Sequence, residues 1–226
     1  MSMRYGGCRA VLQWAMLVSL CFVTGLAPAH DPTTPHETAA STTGNRTVLV
    51  FGDSLSAAYG IAASEGWVAL TGQRLASREP AWKIVNASIS GETSAGGAAR
   101  IVREVVRVRP AVVVIELGAN DGLRGLPLRD LRRNLARMIG ASQSIGAKVL
   151  VIGMRLPPNY GAAYTREFER GFCDIANLLH AACLPFLLEP IARDRTAFQE
   201  DNLHPVAAAQ PALRDHVWPA LAPLLD

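Results

Sequence analysis

The chain has 226 residues, which is enough for one well-buried domain and too few for two of ordinary size. Half of its residues are hydrophobic and 18% are charged, a balance that is typical of globular proteins and excludes a disordered chain. The formal net charge is only +3, and the arginines recur on helix-like segments with acidic neighbours. This pattern favours solvated helix faces over a nucleic-acid surface, and we predict no nucleic-acid partner.

The first 29 residues have the features of a secretory signal peptide. Two arginines precede an apolar stretch at residues 10–26, and the small-residue pattern Ala27-Pro28-Ala29 follows it. We expect cleavage after Ala29, because the apolar stretch is slightly short for a membrane span; an uncleaved anchor is the alternative. Residues 30–46 are polar and rich in Thr and Pro, which predicts a flexible leader. We therefore expect a periplasmic or secreted protein with no stable membrane anchor.

From residue 47 onward, apolar strand-like runs alternate with segments that have helical spacing. Near-continuous apolar strands joined by crossover helices indicate a parallel sheet that is covered on both faces. We predict one α/β domain at residues 47–226, a three-layer α/β/α, flavodoxin-like arrangement with a five-stranded parallel sheet. The predicted strands are residues 47–52, 83–87, 111–117, 147–152 and 184–188.

The predicted domain contains two cysteines, Cys173 and Cys183. They could pair in an oxidising compartment, but Cys173 falls on a predicted helix and free buried thiols are common. The sequence therefore favours two free thiols, with a disulfide as the alternative.

Polar loops follow several of the predicted strands. Ser54 follows the first strand, Gly91 the second, Asn120 the third, and the segment 201–205 lies beyond the fifth. Because the carboxyl ends of parallel strands share one edge of the sheet, we expect these loops to converge on one rim.

The residues on this rim match the requirements for hydrolysis of an acyl bond, which are a nucleophile, a base, a group that orients the base, and donors for the oxyanion. Ser54 is the candidate nucleophile and His204 the candidate general base. Asp201 lies three residues before His204 and can hold the Nδ1 proton of the imidazole. The backbone N–H groups of Ser54 and Gly91, with the side-chain amide of Asn120, are candidates for the oxyanion hole.

Each of these residues also has an ordinary structural interpretation. Gly91 could permit a turn, and Asn120 could cap the helix after the third strand. The 201–205 loop could be an exposed loop or, with Asp53, part of a metal site, but no metal-binding spacing accompanies it and we predict no metal. The joint occurrence of all these residues at strand ends favours catalysis. Ser54 lacks the Gly-x-Ser-x-Gly elbow, which argues against the α/β-hydrolase fold.

With these blocks the chain resembles the SGNH (GDSL-type) hydrolase family over residue 47 to the end. Within that family it is similar to bacterial periplasmic enzymes with thioesterase, protease and lysophospholipase activity. One departure is Ala119, where the family more often has glycine. The blocks that carry the family resemblance are Gly52-Asp53-Ser54-Leu55-Ser56, Gly91, Gly118-Ala119-Asn120-Asp121 and Asp201-Asn202-Leu203-His204-Pro205, and the narrower similarity lies in residues 85–94, 116–125 and 155–161.

The resemblance implies a flavodoxin-like SGNH fold and hydrolysis through an acyl-enzyme on Ser54 without a cofactor. It also implies a mobile lid at residues 121–127 and an acyl groove near Leu156 and Pro157. Together with Leu123 and Leu126, these residues would give the groove an apolar wall, although apolar loop residues can also simply pack onto the core.

We expect a monomeric serine esterase that acts on small fatty-acyl esters or thioesters such as aryl esters, acyl-CoA or lysophospholipids. A carbohydrate O-acetylesterase is the alternative within the same fold. A non-catalytic protein that binds lipid or peptidoglycan is the alternative from another class.

Overall fold

The computed structural model describes residues 46–226. The predicted signal peptide and the predicted leader up to residue 45 lie outside these residues. The strands of the described part are β1 (Thr47–Gly52), β2 (Lys83–Asn86), β3 (Val112–Glu116), β4 (Lys148–Ile152) and β5 (Ala182–Leu184). All five are parallel and lie in the order β2-β1-β3-β4-β5, which confirms the predicted α/β fold class.

Helices cover both faces of the sheet. The α-helices are α1 (Trp67–Arg78), α2 (Ser94–Val108), α3 (Ala119–Leu123), α4 (Leu128–Gln143), α5 (Ala162–Leu178) and α6 (Gln210–Leu221). Helix α2 packs against α4 and α4 against α5, whereas α1 packs against α6. Within residues 46–226, no helix is both long and apolar enough to cross a membrane.

Strands β1 and β3 form the centre of the core. Residues 48–51 and 112–115 are completely buried, and the two strands pair in register, with Leu49 opposite Val113. Burying an aliphatic or aromatic side chain contributes roughly 1.5–3 kcal/mol, so these apolar runs account for a large part of the folding free energy. A strand that is buried on both faces has no polar alternation, and for this reason its sequence reads as a continuous apolar run.

The predicted fifth strand, 184–188, is wrong in its bounds, because β5 ends at Leu184. Pro185 follows, and its lack of an N–H prevents it from donating to the ladder. Residues 186–188 are nevertheless buried, since the Leu187 N–H donates to the carbonyl oxygen of Gly153 at 3.1 Å and the segment packs on the core as a turn. Burial without strand pairing produced the same apolar run that a strand would have.

The two cysteines form a disulfide, contrary to the free thiols that the sequence favoured. Cys173 lies on α5 as predicted, but the chain turns back at His180, which has a left-handed backbone with φ of 55°, and enters β5 directly beside that helix. This reversal brings the Cα atoms of Cys173 and Cys183 to 5.5 Å from each other, a separation at which a disulfide forms.

The strand order changes direction at β1, because the chain proceeds from β1 to β2 on one side and then returns to β3 on the other. In open parallel sheets, ligands bind outside the carboxyl ends of the strands at such a reversal. Ser54 follows β1 and Asn120 follows β3, so the fold places both residues at this crevice.

Candidate active site

Ser54, His204 and Asp201 form a continuous hydrogen-bonded chain. Nε2 of His204 lies 2.8 Å from the Ser54 Oγ atom, and Nδ1 of His204 lies 2.6 Å from Oδ2 of Asp201. These distances suit the transfer of the serine proton to an imidazole whose tautomer is held by a carboxylate. The structure thus brings together the three side chains that the sequence singled out for nucleophile, base and orienting group.

A tight turn holds Asp201 against the imidazole. Asn202 has a left-handed backbone with φ of 57°, and Oδ1 of Asp201 accepts hydrogen bonds from the N–H groups of Leu203 and His204 at 2.9 and 3.0 Å. Desolvation alone would raise the pKa of Asp201, but the hydrogen bonds from His204 and Leu203 outweigh it and lower the pKa to about 2. Asp201 therefore remains an anion and can stabilise an imidazolium at His204.

The three N–H groups predicted for the oxyanion hole belong to residues that line one cavity. Within residues 46–226, neither the Ser54 nor the Gly91 backbone N–H donates to a protein acceptor. Nδ2 of Asn120 donates to the Glu92 carbonyl at 3.1 Å and to Asp53 Oδ2 at 3.2 Å. Gly91 has φ of 79° and open space around its Cα, which is a conformation that glycine adopts without strain. Two amides are therefore available to an oxyanion, and the Asn120 amide is held beside them.

The loop that carries Gly91 is held by an ion pair that the sequence analysis missed. The Arg100 guanidinium on α2 donates to both carboxylate oxygens of Glu92 and, at 2.7 Å, to the carbonyl oxygen of Ala87. It also lies 3.8 Å from the ring centroid of Phe51. The side chains of Arg100 and Glu92 are 13% and 8% exposed, so this pair is largely shielded from water. In the sequence, two charged residues eight positions apart look the same whether they form a buried ion pair or lie separately at the surface.

A second network joins the loop after β3 to the start of α2. Oδ2 of Asp121 accepts from the Ser94 N–H at 2.7 Å, and Oδ1 accepts from the Ser94 hydroxyl at 2.5 Å. Nδ2 of Asn134 on α4 donates to the same hydroxyl at 3.0 Å. Asp121 thus caps α2 from another element, and this contact fixes Asn120 relative to the Gly91 loop.

Two buried carboxyl groups lie directly beneath the serine turn. Asp53 and Glu116 are 1% and 2% exposed. Glu116 accepts from the Ser56 hydroxyl at 2.7 Å and from the Asp53 N–H at 3.4 Å, whereas Oδ1 of Asp53 accepts from the Leu55 N–H at 3.0 Å. From the sequence, Asp53 was considered only as a possible metal-binding residue, and Glu116 lies in a predicted strand.

Burial raises the pKa of Asp53 to about 6, although hydrogen bonds from Leu55 and Asn120 lower it in part. Burial and the neighbouring charge of Asp53 raise the pKa of Glu116 well above its usual range. The pair therefore retains a proton more readily than two exposed carboxyl groups would, and it adds less negative charge beneath Ser54. In the described residues, no three His, Cys, Asp or Glu side chains converge as a metal site requires.

An apolar cavity of about 590 Å³ opens at the serine. Leu123, Leu156 and Pro157, three of the four predicted groove residues, line it, together with Ser54, Gly91, Asn120 and His204. Leu126 does not: its carbonyl oxygen accepts from the Tyr164 hydroxyl at 3.0 Å, and its half-buried side chain lies outside the lining. A second wall comes from the segment between β5 and His204, and it consists of Phe186, Leu188, Ala192, Phe198 and Leu203.

Comparison with known proteins confirms the family that the sequence blocks indicated. The model of the GDSL-like Lipase/Acylhydrolase family matches residues 50–211. Over 180 residues the chain is 49% identical to Esterase TesA of Pseudomonas aeruginosa, covering 80% of this chain and 90% of that protein. It is 36% identical to Thioesterase 1/protease 1/lysophospholipase L1 of Escherichia coli K12 over 180 residues, or 80% of this chain and 85% of that one.

Two crystal structures are similarly close. That of TesA has a TM-score of 0.77 at 49% identity and covers 79% of this chain and 99% of its own. That of the psychrotrophic esterase EstA from Pseudoalteromonas sp., inhibited by monoethylphosphonate, has a TM-score of 0.76 at 38% identity and covers 80% of this chain and 98% of its own. The chain therefore belongs to the GDSL-like Lipase/Acylhydrolase family of ester hydrolases.

Proposed function

We propose that the protein is an exported serine esterase that hydrolyses fatty-acyl esters or thioesters through an acyl-enzyme on Ser54. The observation that carries this proposal is the 2.8 Å contact between His204 Nε2 and Ser54 Oγ at the mouth of an apolar cavity. An activated hydroxyl beside an apolar cavity suits an acyl chain better than a polar sugar. The curated relatives are named as an esterase and as a thioesterase and lysophospholipase, and their names support the same chemistry.

Acylation begins when Ser54 Oγ attacks the carbonyl carbon of the substrate and His204 Nε2 takes the hydroxyl proton. The carbonyl π electrons move to oxygen, and the resulting oxyanion accepts hydrogen bonds from the N–H groups of Ser54 and Gly91. The third donor is the side-chain amide of Asn120. Its N–H group that donates to Asp53 Oδ2 at 3.2 Å, the longer of its two contacts, would also donate to the oxyanion. Nε2 then returns its proton to the leaving oxygen or sulfur, the bond to carbon breaks, and the acyl group remains on Ser54.

Deacylation repeats these steps with water as the nucleophile. His204 takes a proton from water, the hydroxide oxygen attacks the acyl carbon, and the same three donors hold the second oxyanion. The proton then moves from Nε2 to Ser54 Oγ as the carboxylic acid leaves. Throughout both steps Asp201 remains ionised and stabilises the positive imidazolium by its 2.6 Å contact with Nδ1.

Export from the cytoplasm is part of this proposal. It is supported by the signal-peptide pattern at residues 1–29 and by the disulfide between Cys173 and Cys183, because disulfides persist in oxidising compartments. For a periplasmic enzyme we expect acyl esters and lysophospholipids to be more accessible substrates than cytoplasmic acyl-CoA.

The proposal is tested by the hydrolysis of p-nitrophenyl esters from acetate to palmitate, with the Ser54→Ala variant as the control. We expect a rate that peaks at medium or long chains and is lost in Ser54→Ala, with the far-ultraviolet circular dichroism of the variant unchanged. A peak confined to acetate would instead indicate the carbohydrate O-acetylesterase. Absence of Ser54-dependent turnover at every chain length would favour the non-catalytic binding protein.

A further inference from the structure

Tyr59 is a large aromatic residue whose ring packs on the imidazole of His204, the proposed general base, yet remains half exposed. Its ring centroid lies 4.5 Å from that of His204, and the two rings are tilted by 40°. Its exposure is 52%, so much of the ring is open to solvent. Tyr59 also lines the cavity at Ser54. The ring is therefore in contact with both the base and the space that a substrate enters.

The backbone presents Tyr59 in this position at a cost to the fold. Ala58 has a left-handed backbone with φ of 60°, a conformation that alanine rarely adopts, and Gly60 has φ of 76°. Side-chain atom Nε2 of Gln199 donates to the Tyr59 carbonyl at 2.8 Å and to the Pro205 carbonyl at 3.1 Å. The strained turn that carries Tyr59 is thus tied directly to the loop that carries the triad base.

The same glutamine also contacts the residue before Pro205. The Gln199 backbone N–H donates to the His204 carbonyl oxygen at 2.8 Å, so that one residue connects the Tyr59 turn, His204 and Pro205. A methyl group added at Gly60 would lie 2.1 Å from the Oε1 atom of Gln199, which shows how closely the Gln199 side chain packs against the turn that carries Tyr59. A strained backbone that hydrogen bonds from neighbouring segments hold in place is typical of segments that serve a function.

The chemistry determines which part of the substrate Tyr59 contacts. The leaving atom must lie within hydrogen-bond distance of Nε2 of His204 to receive its proton. The group attached to that atom is then next to the residues that flank the imidazole in the cavity. They include Tyr59, whose ring packs on the imidazole, and Leu203, the chain neighbour of His204; both are exposed and line the cavity. The acyl carbon, by contrast, lies at Ser54 and its oxyanion faces Gly91.

We propose that Tyr59 is a specificity-determining residue that binds the leaving group and favours a flat aromatic alcohol over an alkyl one. The inference rests on the proposed function and specifies the alcohol side of its substrate. An aromatic leaving group can pack against the exposed part of the Tyr59 ring and against Leu203, whereas a short alkyl group offers too little surface for either contact. The ring, and not the phenolic hydroxyl, makes the contact.

The experiment compares kcat/KM for phenyl butyrate and 2,2,2-trifluoroethyl butyrate, which share an acyl group and both have activated leaving groups. The ratio of the two values is measured in the wild type and in Tyr59→Ala, Tyr59→Leu and Tyr59→Phe. We expect the phenyl preference to fall roughly 2- to 12-fold in Tyr59→Ala and Tyr59→Leu, the range of an aromatic pair contact, and to persist in Tyr59→Phe. Tyr59→Leu retains apolar packing should Tyr59→Ala fail to fold. The matched control is Leu178→Ala on α5, a 70% exposed apolar residue outside the cavity lining, which should leave the ratio unchanged.

Equal losses on both esters in Tyr59→Ala and Tyr59→Leu would overturn the inference, because they would show that the ring acts only on His204. An unchanged ratio in both variants would overturn it as well. Neither outcome affects the proposed function, since Ser54-dependent turnover would still be present. Loss of that turnover in the wild type would instead overturn the proposed function, and the inference with it.

Discussion

Replacing Arg100 by methionine should both destabilise the protein and slow its reaction. Within residues 46–226, Arg100 is the only arginine whose guanidinium donates to Glu92, and it also donates to the carbonyl oxygen of Ala87 at the start of the Gly91 loop. Methionine preserves much of the apolar contact with Phe51 but removes the charge and all these hydrogen bonds. The loop then loses the contact that joins its two ends.

The expected magnitude follows from the shielding of the pair. The Glu92 side chain is only 8% exposed, so Arg100→Met leaves a buried carboxylate without its partner, which costs about 3–5 kcal/mol of unfolding free energy. The double variant Glu92→Gln/Arg100→Met removes both charges and should recover most of that loss. Displacement of the Gly91 N–H should lower kcat by roughly 10²-fold, the typical cost of losing one oxyanion donor.

Urea unfolding and esterase kinetics of the wild type, the single variants and the double variant measure these effects as a double-mutant cycle. The matched control is Arg133→Met on α4, because Arg133 is 70% exposed and its partner Asp130 is itself 34% exposed. We expect a change there of no more than about 1 kcal/mol. A loss below about 1 kcal/mol for Arg100→Met, or equal losses for the single and double variants, would refute the stabilising role of the pair.

Two further predictions concern pH and the disulfide. The folded state binds the Asp53 proton more tightly than the unfolded state, because the pKa of Asp53 is about 6 in place of the ordinary 3.8. The stability that protonation contributes is therefore fully present below pH 3.8 and is lost as the pH rises through 6. Relative to Asp53→Asn, the unfolding free energy of the wild type should therefore fall by about 3 kcal/mol across that range, and a pH-independent difference in urea unfolding would contradict this. The Cys173→Ser/Cys183→Ser variant opens a loop of sequence separation 10 and should lose about 2–3 kcal/mol, whereas equal thermal stability of the two proteins would contradict a structural disulfide.

The central strands could be predicted from the sequence because burial on both faces requires an uninterrupted run of apolar residues. Each of β1, β3 and β4 is a run of β-branched and aliphatic residues, and the structure differs from the predicted bounds by one residue or less. The convergence of the loops that carry Ser54, Gly91 and Asn120 follows from the parallel order of the strands. His204 lies well beyond the end of β5, and its contact with Ser54 is known only from the structure.

The remaining features depend on contacts between segments that are distant in the chain, and local sequence patterns do not predict such contacts. Residues 186–188 are buried because a turn packs on the core, and their apolar sequence resembles that of a strand. The disulfide depends on the turn at His180, and a left-handed histidine has no sequence signature. Arg100 and Tyr59 were missed for the same reason, since an arginine on a helix and a tyrosine in a loop are ordinary surface residues until their partners are known.

The central claim is that Ser54, activated by His204, becomes the acylated residue. The most direct measurement is intact-protein and peptide mass spectrometry after treatment with an ethyl p-nitrophenyl phosphonate, a reagent that mimics the tetrahedral intermediate and remains covalently bound. The account predicts one phosphonyl group per chain, located on the Ser54 peptide, with activity lost in proportion to labelling and with labelling strongly slowed in His204→Ala. Labelling at another residue, or full activity after Ser54 is completely labelled, would contradict it.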